Sequence, residues 1–467
     1  MYRGFVEVKA LLIDIGSTFT KVAVADLNNE EVVSTAQSPT TVETDVTIGL
    51  KKAIGKLNEM GIDISDVDQK LACSSAAGGL RMIAAGLVPE YTVEAAKIAA
   101  LGAGAKVIGT YSYGLNQADL KEIDKAAPDI ILLSGGTDGG NCEVIIDNAR
   151  RLSRSSLRSP IVVAGNKMAA DQVASILRSV GKEVKVTGNV MPEINRLDVE
   201  PAKSAIRQTF LERIILAKGI NKAKRFVDII MPTPMAVLKA AELLAEGTEK
   251  EPGIGDHMII EVGGSTTNIY SLCRWMALKP DVFLKGLPEP YAKRTIEGDL
   301  GIRYNAPSIL EVVGKERLLE NIGLKSIDIE RKVEKLSENV DRLPRNQEET
   351  LIDIGLARIA TEIAVERHVG KIETVFMATG KVYIQHGKDL TAIEKVIGTG
   401  GVIVHNKNPK RILEGTTYDK NQPTLLKPKK PHFLIDTRYI LYAVGLLSFI
   451  NPTKALRIAK RYIKEAS

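Results

Sequence analysis

Apolar positions along the chain follow two rhythms, and their alternation predicts its organisation. Residues 10–15 form an apolar run interrupted only by Asp14, as expected of a strand buried on both faces. Strands at 22–26 and 31–36 make the opening an antiparallel meander. Residues 38–50 begin as a turn and continue as a helix to about Glu59. Glu43 and Asp45 stand at its start, where acids suit the helix dipole; the alternative is that one of them faces a ligand cleft. A strand near 71–74, a small-residue turn at 76–79, a helix at 93–102 and a strand at 106–111 continue the alternation. From 129 it becomes regular: strand 129–133, helix 142–152, strand 161–164, helix 168–180, strand 183–186. That pattern is βαβαβ and predicts a parallel sheet.

In the second half, residues 231–247 read as a strong helix after two prolines. The linker 248–256, with Pro252, Gly253 and Gly255, is the expected domain boundary. Helices are predicted at 305–321, 328–336 and 348–368, and a strand at 373–378. Residues 396–404 read as strand, glycine turn and apolar segment, and helices at 438–449 and 452–465 follow. The expected domains are 1–250, with an α/β subdomain near 129–200, then 251–430, then C-terminal helices in 431–467.

The chain has 467 residues, too many for a single core. Its 44% hydrophobic and 26% charged residues are those of a soluble globular protein, and 4% aromatics predict aliphatic cores. Net charge is +6 but the signs are interleaved; the locally basic stretch 407–430 carries a lone aromatic, Tyr418, rather than an interleaved stacking set, so no nucleic-acid partner is expected. Cys73, Cys142 and Cys273 are scattered, which predicts neither disulfides nor a zinc or iron–sulfur site and fits a reducing cytoplasm. The first residues carry no leader pattern, and the longest apolar run, 439–450, is too short to span a membrane.

Candidate chemistry sits in two hairpins. In LLIDIGSTFTK (11–21) a strand carrying Asp14 meets Gly16, then Ser17, Thr18, Thr20 and Lys21. Glycine lets backbone N–H groups approach an anion, hydroxyls add donors, Lys21 adds charge, and Asp14 can hold a metal ion through water. MIIEVGGSTTNIYSL (258–272) repeats the design with Glu261, Gly263, Gly264, Ser265, Thr266 and Thr267. One such turn is common; two, opening each half, predict related lobes that clamp a nucleotide's phosphates. The glycines of VIGTGG (396–401) permit close approach of a flat ring or ribose. The loop SGGTDGGN (134–141), with Asp138, suits a structural turn and a ligand loop equally; it has neither the GxxxxGK[ST] nor the GxGxxG form. Glu297, Asp299 and Arg303 beside Gly298 and Gly301 line a cleft or form a solvated loop, and His368 has no partner at metal spacing.

DIGSTFTK, EVGGSTTN and GTGG resemble, in order and spacing, the two phosphate motifs and the adenosine motif of the ATPases that include actin, sugar kinases, acetate kinase and heat-shock chaperones. Closer and longer is the resemblance to the MutL/GlmL family, carried by TAQSPTTVETDVTIGL (35–50), ILLSGGTDGGN (131–141), VVAGNK (162–167), NVMPEINRLDVEPA (189–202), MPTPMAVLKAAELLAEG (231–247) and TIEGDLGIRYN (295–305). Members of that family are encoded beside adenosylcobalamin-dependent glutamate mutase and related aminomutases; they share only a name with mismatch-repair MutL.

The resemblance implies an α/β fold of two actin-like (ribonuclease-H-like) lobes around a nucleotide cleft, with an α/β insertion in the first half. It implies ATP and Mg2+ as cofactors, mutase subunits as partners, and an accessory or reactivating role. Asp14 and Glu261 would serve as catalytic and metal-holding acids. Gly16, Ser17, Thr18, Thr20, Lys21, Gly263, Gly264, Ser265 and Thr266 would bind phosphates, and Gly400 and Gly401 would border adenosine. The second phosphate motif usually opens and closes with Asp; here Glu261 and Asn268 stand there, so any ATP turnover is expected to be slow. The alternatives are a small-molecule kinase, with Glu43, Asp45 or Asp138 as its base, and a nucleotide-binding scaffold without turnover. Scattered cysteines disfavour an iron–sulfur activating ATPase, and the absence of DxHxxG means the chain is not a cobalamin-carrying subunit.

Overall fold

The structure, a computed structural model, describes residues 9–41, 44–65, 67–76, 80–213, 227–277, 279–324, 327–378 and 380–466. Two compact units divide the chain: Met1–Ala77, Leu216–Leu284 and Tyr291–Ser467 form one, Gly78–Ile215 with Lys285–Pro290 the other.

The first unit opens with β1 (Lys9–Ile15), β2 (Phe19–Asp26) and β3 (Glu31–Pro39), an antiparallel meander. Helix α1 (Val46–Glu59) follows, and β4 (Gln69–Ser74) pairs parallel with β1. Asp45 is the N-cap of α1: its Oδ1 accepts from Thr47 N at 2.9 Å and from the Thr47 hydroxyl at 2.6 Å. Its carboxylate is therefore spent on the helix start, while Glu43 lies outside the described residues.

The second unit is an open parallel sheet with helices on its faces. In chain order its elements are β5 (Leu80–Gly86), α2 (Glu94–Gly102), β6 (Ala105–Ser112), α3 (Gln117–Ala126), β7 (Ile130–Leu133), α4 (Glu143–Ser153), β8 (Ile161–Val163), α5 (Lys167–Arg178), β9 (Val184–Val186) and α6 (Glu200–Arg213). The strands run β6-β5-β7-β8-β9, all parallel. This is the second-first-third-fourth-fifth order of a doubly wound sheet. Ile83, Ile131, Leu133, Ile161 and Val163 fill its core with Ile145, Ala149, Val173 and Leu177. β5, α3 and α6 fall where the sequence reading places no element. LRMIAAG ends in small residues that pack well in a buried strand without signalling one.

The chain returns to the first unit with β10 (Asp228–Pro232), parallel to β4, and α7 (Thr233–Glu246). The first sheet thus runs β10-β4-β1-β2-β3. The second lobe begins with β11 (His257–Val262), β12 (Thr267–Leu272) and β13 (Ala292–Glu297). Helices α8 (Ala306–Val313), α9 (Lys315–Ile322), α10 (Ile329–Glu338) and α11 (Gln347–His368) come next. They are followed by a hairpin of β14 (Lys371–Met377) and β15 (Gly380–His386), then β16 (Lys395–Thr399) and β17 (His432–Asp436). The chain closes with α12 (Leu441–Leu447), α13 (Pro452–Tyr462) and β18 (Ile463–Glu465). The second sheet runs β13-β12-β11-β16-β17-β18. Each lobe therefore has an antiparallel three-strand meander followed by parallel strands added beside its first strand. That shared order is the actin-like, ribonuclease-H-like lobe, occurring twice.

β1 reads as an unbroken apolar run because both of its faces are covered. Ala10 and Leu12 pack in a core with α7, α12 and α13, while Leu11 and Ile13 face Leu50 and Ile54 of α1 across a cavity of about 440 Å³. The same core takes Ile259, Tyr270 and Leu272 from the second sheet, so α7 and α12 join the two lobes. Their approach needs Gly445: a Cβ there would lie 2.6 Å from Ala236 C and closer still to its carbonyl oxygen. Residues 463–465 form a strand rather than the last turn of the predicted helix, because β17 offers a free edge to pair with.

Candidate functional site

The two hairpins are built alike to the level of single bonds. In the first turn Gly16 N donates to Phe19 O at 3.2 Å; in the second Gly263 N donates to Thr266 O at 2.9 Å. A Cβ on Gly16 would sit 2.6 Å from Phe19 O, and one on Gly263 3.0 Å from Thr266 O, so both turns close where a side chain would intrude. Register then sets the chemistry. Asp14 lies opposite Lys21 across β1–β2, and Glu261 opposite Asn268 across β11–β12. Cross-strand neighbours touch, so one hairpin carries an acid–ammonium pair and the other an acid–amide pair.

Asp14 is 1% exposed, with both carboxylate oxygens engaged. Oδ1 accepts from the Thr233 hydroxyl at 2.6 Å and from the Cys73 thiol at 3.8 Å; Oδ2 lies 2.6 Å from Lys21 Nζ. Lys21 is also 4.0 Å from the centre of the Tyr439 ring and 5.5 Å from that of Tyr442. Burial alone would lower the Lys21 pKa, but Asp14 and the two tyrosines reverse this and hold it well above the ordinary lysine value. Burial, with Asp14 beside it, keeps the Cys73 thiol protonated.

Glu261 Oε2 accepts from Tyr270 Oη at 2.9 Å and Asn268 Nδ2 at 3.1 Å, and Asn268 Oδ1 accepts from Arg294 at 2.8 Å. Burial raises the Glu261 pKa, and Asp14 adds to the rise; Lys21, the Tyr270 hydroxyl and Arg294 oppose it. Burial and Glu261 push the Tyr270 phenol well up, so it remains a donor.

The hairpins face each other. Ser17 Oγ and Ser265 Oγ are 3.2 Å apart, and a Cβ on Gly264 would lie 3.0 Å from Thr18 Oγ1. Thr18 Oγ1 is buried and has no hydrogen-bond partner among the described residues. Thr20 turns away: it is fully buried and shares a hydrogen bond of 2.9 Å with Thr40. Residues 298–305 wrap the second hairpin. Arg303 N and Tyr304 N donate to Gly264 O at 2.9 and 3.0 Å, and Asn305 Nδ2 donates to Ser265 O at 2.8 Å. Arg303 is neither cleft-lining nor solvated. Its guanidinium is buried in a two-bond pair with Asp353, at 2.9 and 2.7 Å. Glu297 and Asp299 pair instead with Arg367.

The third glycine element abuts the second hairpin. Gly400 has φ +100°, and a Cβ there would lie 3.0 Å from Val262 C and N; Gly401 opens onto free space and starts a helical turn. Thr399 Oγ1 donates to Asp436 Oδ2 at 3.1 Å. The Asp436 carboxylate also accepts from Ile440 N and Leu441 N, both at 2.9 Å, and its carbonyl accepts from Tyr439 N at 3.0 Å. That turn holds Tyr439 at φ +54°, a region bulky side chains rarely adopt.

Asp138 belongs to the other unit, where it closes loops. Its Oδ1 accepts from Lys167 N and Asn189 Nδ2, both at 3.0 Å. His368, in α11, is buried between the hydroxyls of Thr295 and Ser271 and is strongly depressed in pKa by burial, a neutral core histidine. No group of three or more His, Cys, Asp or Glu side chains among the described residues forms a metal cluster.

A model of the MutL protein family matches residues 10–463. The chain belongs to the MutL family. Protein MutL of Clostridium tetanomorphum is 50% identical over 456 residues, covering 97% of this chain and 98% of that relative. Among solved structures, similarity extends to nucleotide-free acetone carboxylase (12% identity, TM-score 0.39, 94% of this chain and 70% of that one). It also extends to xylulose kinase from Bifidobacterium adolescentis (10%, TM-score 0.32, 98% and 94%) and to glycerol dehydratase reactivase (10%, TM-score 0.32, 94% and 99%). No helix among the described residues is long and apolar enough to cross a membrane.

Sequence reasoning missed Thr233, Tyr270, Asp436, Tyr439 and Tyr442. Thr233 stands in the quoted MPTPMAV segment, and Tyr270 lies two residues beyond Asn268; alternation along β12 places it on the same face as Asn268. Tyr439 and Tyr442 are hidden in an apolar helix pattern and had no local signal.

Proposed function

We propose that this chain binds ATP with Mg2+ between its two hairpins and serves as an accessory, reactivating factor for an adenosylcobalamin-dependent mutase of the glutamate mutase or aminomutase type. The observation that carries the nucleotide reading is the meeting of two identically closed acid–glycine–hydroxyl turns at Ser17 and Ser265. Backbone N–H groups of Ser17 and Thr18 on one side, and of Gly264, Ser265 and Thr266 on the other, would take phosphate oxygens, while the N–H groups of Gly16 and Gly263 close the turns that present them. The unpartnered Thr18 hydroxyl is a ready donor. Thr20 contributes by bracing the turn against Thr40. Gly400, braced on Val262, and Gly401, open to solvent, border the space for adenosine.

The donor set fits Mg2+ delivered with phosphates. The two hairpins carry one acid each, Asp14 and Glu261, so most ligands would come from phosphate and water, the coordination this hard cation favours. Bound there, Mg2+ would neutralise charge on the transferring phosphoryl group. Glu261, its Oε2 fixed by Tyr270 and Asn268, orients the attacking water through Oε1. The elevated proton affinity of a buried carboxylate suits that role. Asn268 in place of a second acid leaves one base, hence slow turnover.

Family membership supports the mutase partner. Closure and reopening of the lobes around α7 and α12 would alter the surface offered to the client. A kinase is disfavoured because Asp45 is committed to capping α1.

The test is ATP turnover with Mg2+, with and without cobalamin-inactivated mutase, following recovery of mutase activity in the same tube. ATP-dependent recovery that Glu261→Gln abolishes is the expected result. ATP binding without turnover or recovery for any glutamate or aminomutase client would leave a scaffold and remove the role given to Glu261.

A further inference from the structure

Asp14 already carries a cation of the chain's own. It is 1% exposed, its Oδ1 is held by Thr233 at 2.6 Å, and its Oδ2 is held by Lys21 at 2.6 Å. A carboxylate so enclosed takes up a metal's water only against the repulsion of the ammonium beside it. The ammonium, for its part, is not held by Asp14 alone. It lies over the Tyr439 ring at 4.0 Å with the Tyr442 ring at 5.5 Å, within the range where a ring face attracts a cation. Tyr439 is set in place at some cost. Its φ of +54° persists because Asp436 grips the turn three times, through one carbonyl and two carboxylate bonds. The same carboxylate holds Thr399, the residue before Gly400. One buried acid therefore fixes both the lysine cage and the glycine turn.

The geometry points to Lys21 as the site's own counter-ion in the nucleotide-free protein, with Tyr439 as the positioning residue that keeps it on Asp14. The cage bars a bare divalent cation from Asp14. A metal arriving alone meets an ammonium already on its carboxylate, and two unscreened cations within a few ångströms repel. A metal arriving on a triphosphate brings the negative charge to which Lys21 can transfer. The site then accepts metal and nucleotide together and refuses metal alone. This rests on the nucleotide reading only for what draws Lys21 away.

Mn2+ binding to the full chain, followed by electron paramagnetic resonance without nucleotide, tests the cage directly. Lys21→Met is expected to bind Mn2+ at least about tenfold more tightly than the parent, since it removes the competing charge. Tyr439→Leu leaves Asp14, Lys21 and both hairpins intact and is expected to tighten Mn2+ binding by roughly threefold to tenfold, the worth of one cation–ring contact between the exposed and the fully desolvated limits. Tyr439→Phe keeps the ring and loses only the hydroxyl's interaction with Lys21, so it is expected to lie between the parent and Tyr439→Leu. A flat series, with each variant folded by circular dichroism, overturns the cage; if Lys21→Met does not fold, the two Tyr439 variants decide. Calorimetry of the parent with ATP separates the two readings. Graded Mn2+ affinities without ATP binding leave the cage standing and remove the nucleotide; ATP binding with a flat Mn2+ series does the reverse.

Discussion

Replacing Gly445 with alanine should separate the two lobes' shared helix pair. The added Cβ would lie 2.6 Å from Ala236 C and 3.0 Å from Ala236 Cα, where ordinary contact begins at 3.4 Å. Helices α7 and α12 must therefore part by at least about 0.8 Å, and no side-chain rotation can relieve this because the obstacle is backbone. Both helices are buried along most of their length, so the separation disturbs packing on each side. Overpacking of this kind costs about 1–3 kcal/mol, with backbone obstacles at the upper end, and alanine's better helix propensity returns at most about 1 kcal/mol. A net loss near 2 kcal/mol lowers a urea midpoint by roughly 1 M at slopes of 1–3 kcal/mol/M. Trp275 is the chain's single tryptophan and lies in the two-lobed unit, where its Nε1 donates to Gly387 O at 3.1 Å, so its fluorescence follows that unit alone. Gly55→Ala is the control. A Cβ there meets nothing within 4 Å on α1, so the midpoint should rise, by the equivalent of about 0.5–1 kcal/mol. A Gly445→Ala chain that unfolds at the parent's midpoint or above refutes the claim that this crossing is at its limit.

His257 is fully buried, and burial lowers its pKa to about 4 from 6.5. The unfolded chain therefore takes up a proton between those values that the folded chain refuses, so stability falls as pH drops, by about 2 kcal/mol at pH 5 and about 3 kcal/mol below pH 4. Urea midpoints at pH 7.5 and 5 should diverge in the parent and converge in His257→Gln. Arg303→Met leaves Asp353 buried beside the second hairpin without its cation and should cost about 3–5 kcal/mol. Adding Asp353→Leu should restore most of that loss in a double-mutant cycle, and full additivity would speak against the pair. Gly400→Ala forces a left-handed position and a clash with Val262, so thermal stability should drop. Gly401→Ala faces open space and should keep stability while weakening ATP binding in calorimetry.

Both lobes were legible because each opens with a pattern that has few other uses. An apolar strand ends in an acid and a glycine, hydroxyls follow, and a strand resumes. The spacing from Asp14 to Lys21 equals that from Glu261 to Asn268, and across a tight hairpin it fixes which residues face each other. What surrounds those pairs was not legible. Thr233, Tyr439 and Asp436 reach Asp14, Lys21 and Thr399 from elements far along the chain, and nothing in their own neighbourhoods distinguishes them from helix-entry residues. Arg303 was ambiguous for the same reason, since its partner stands on α11, fifty residues later. Strand β18 illustrates tertiary override: IKE continues an amphipathic helix in sequence, yet the edge of β17 captures it.

The contact between Lys21 and Tyr439 has a bearing on synthesis. The first hairpin leaves the ribosome early, yet the ring that cages its lysine is made long afterwards. So is the Tyr462 hydroxyl, which accepts from Val32 N at 3.1 Å, and so is Arg457, paired with Glu30 at 2.9 Å. A nascent chain can fold the parallel sheet of the second unit from neighbouring residues alone. The cage over its first hairpin must wait for Tyr439 and Tyr442 to arrive. Cleavage before Arg438 in the mature protein would undo the same step, leaving Lys21 with Asp14 but without its rings.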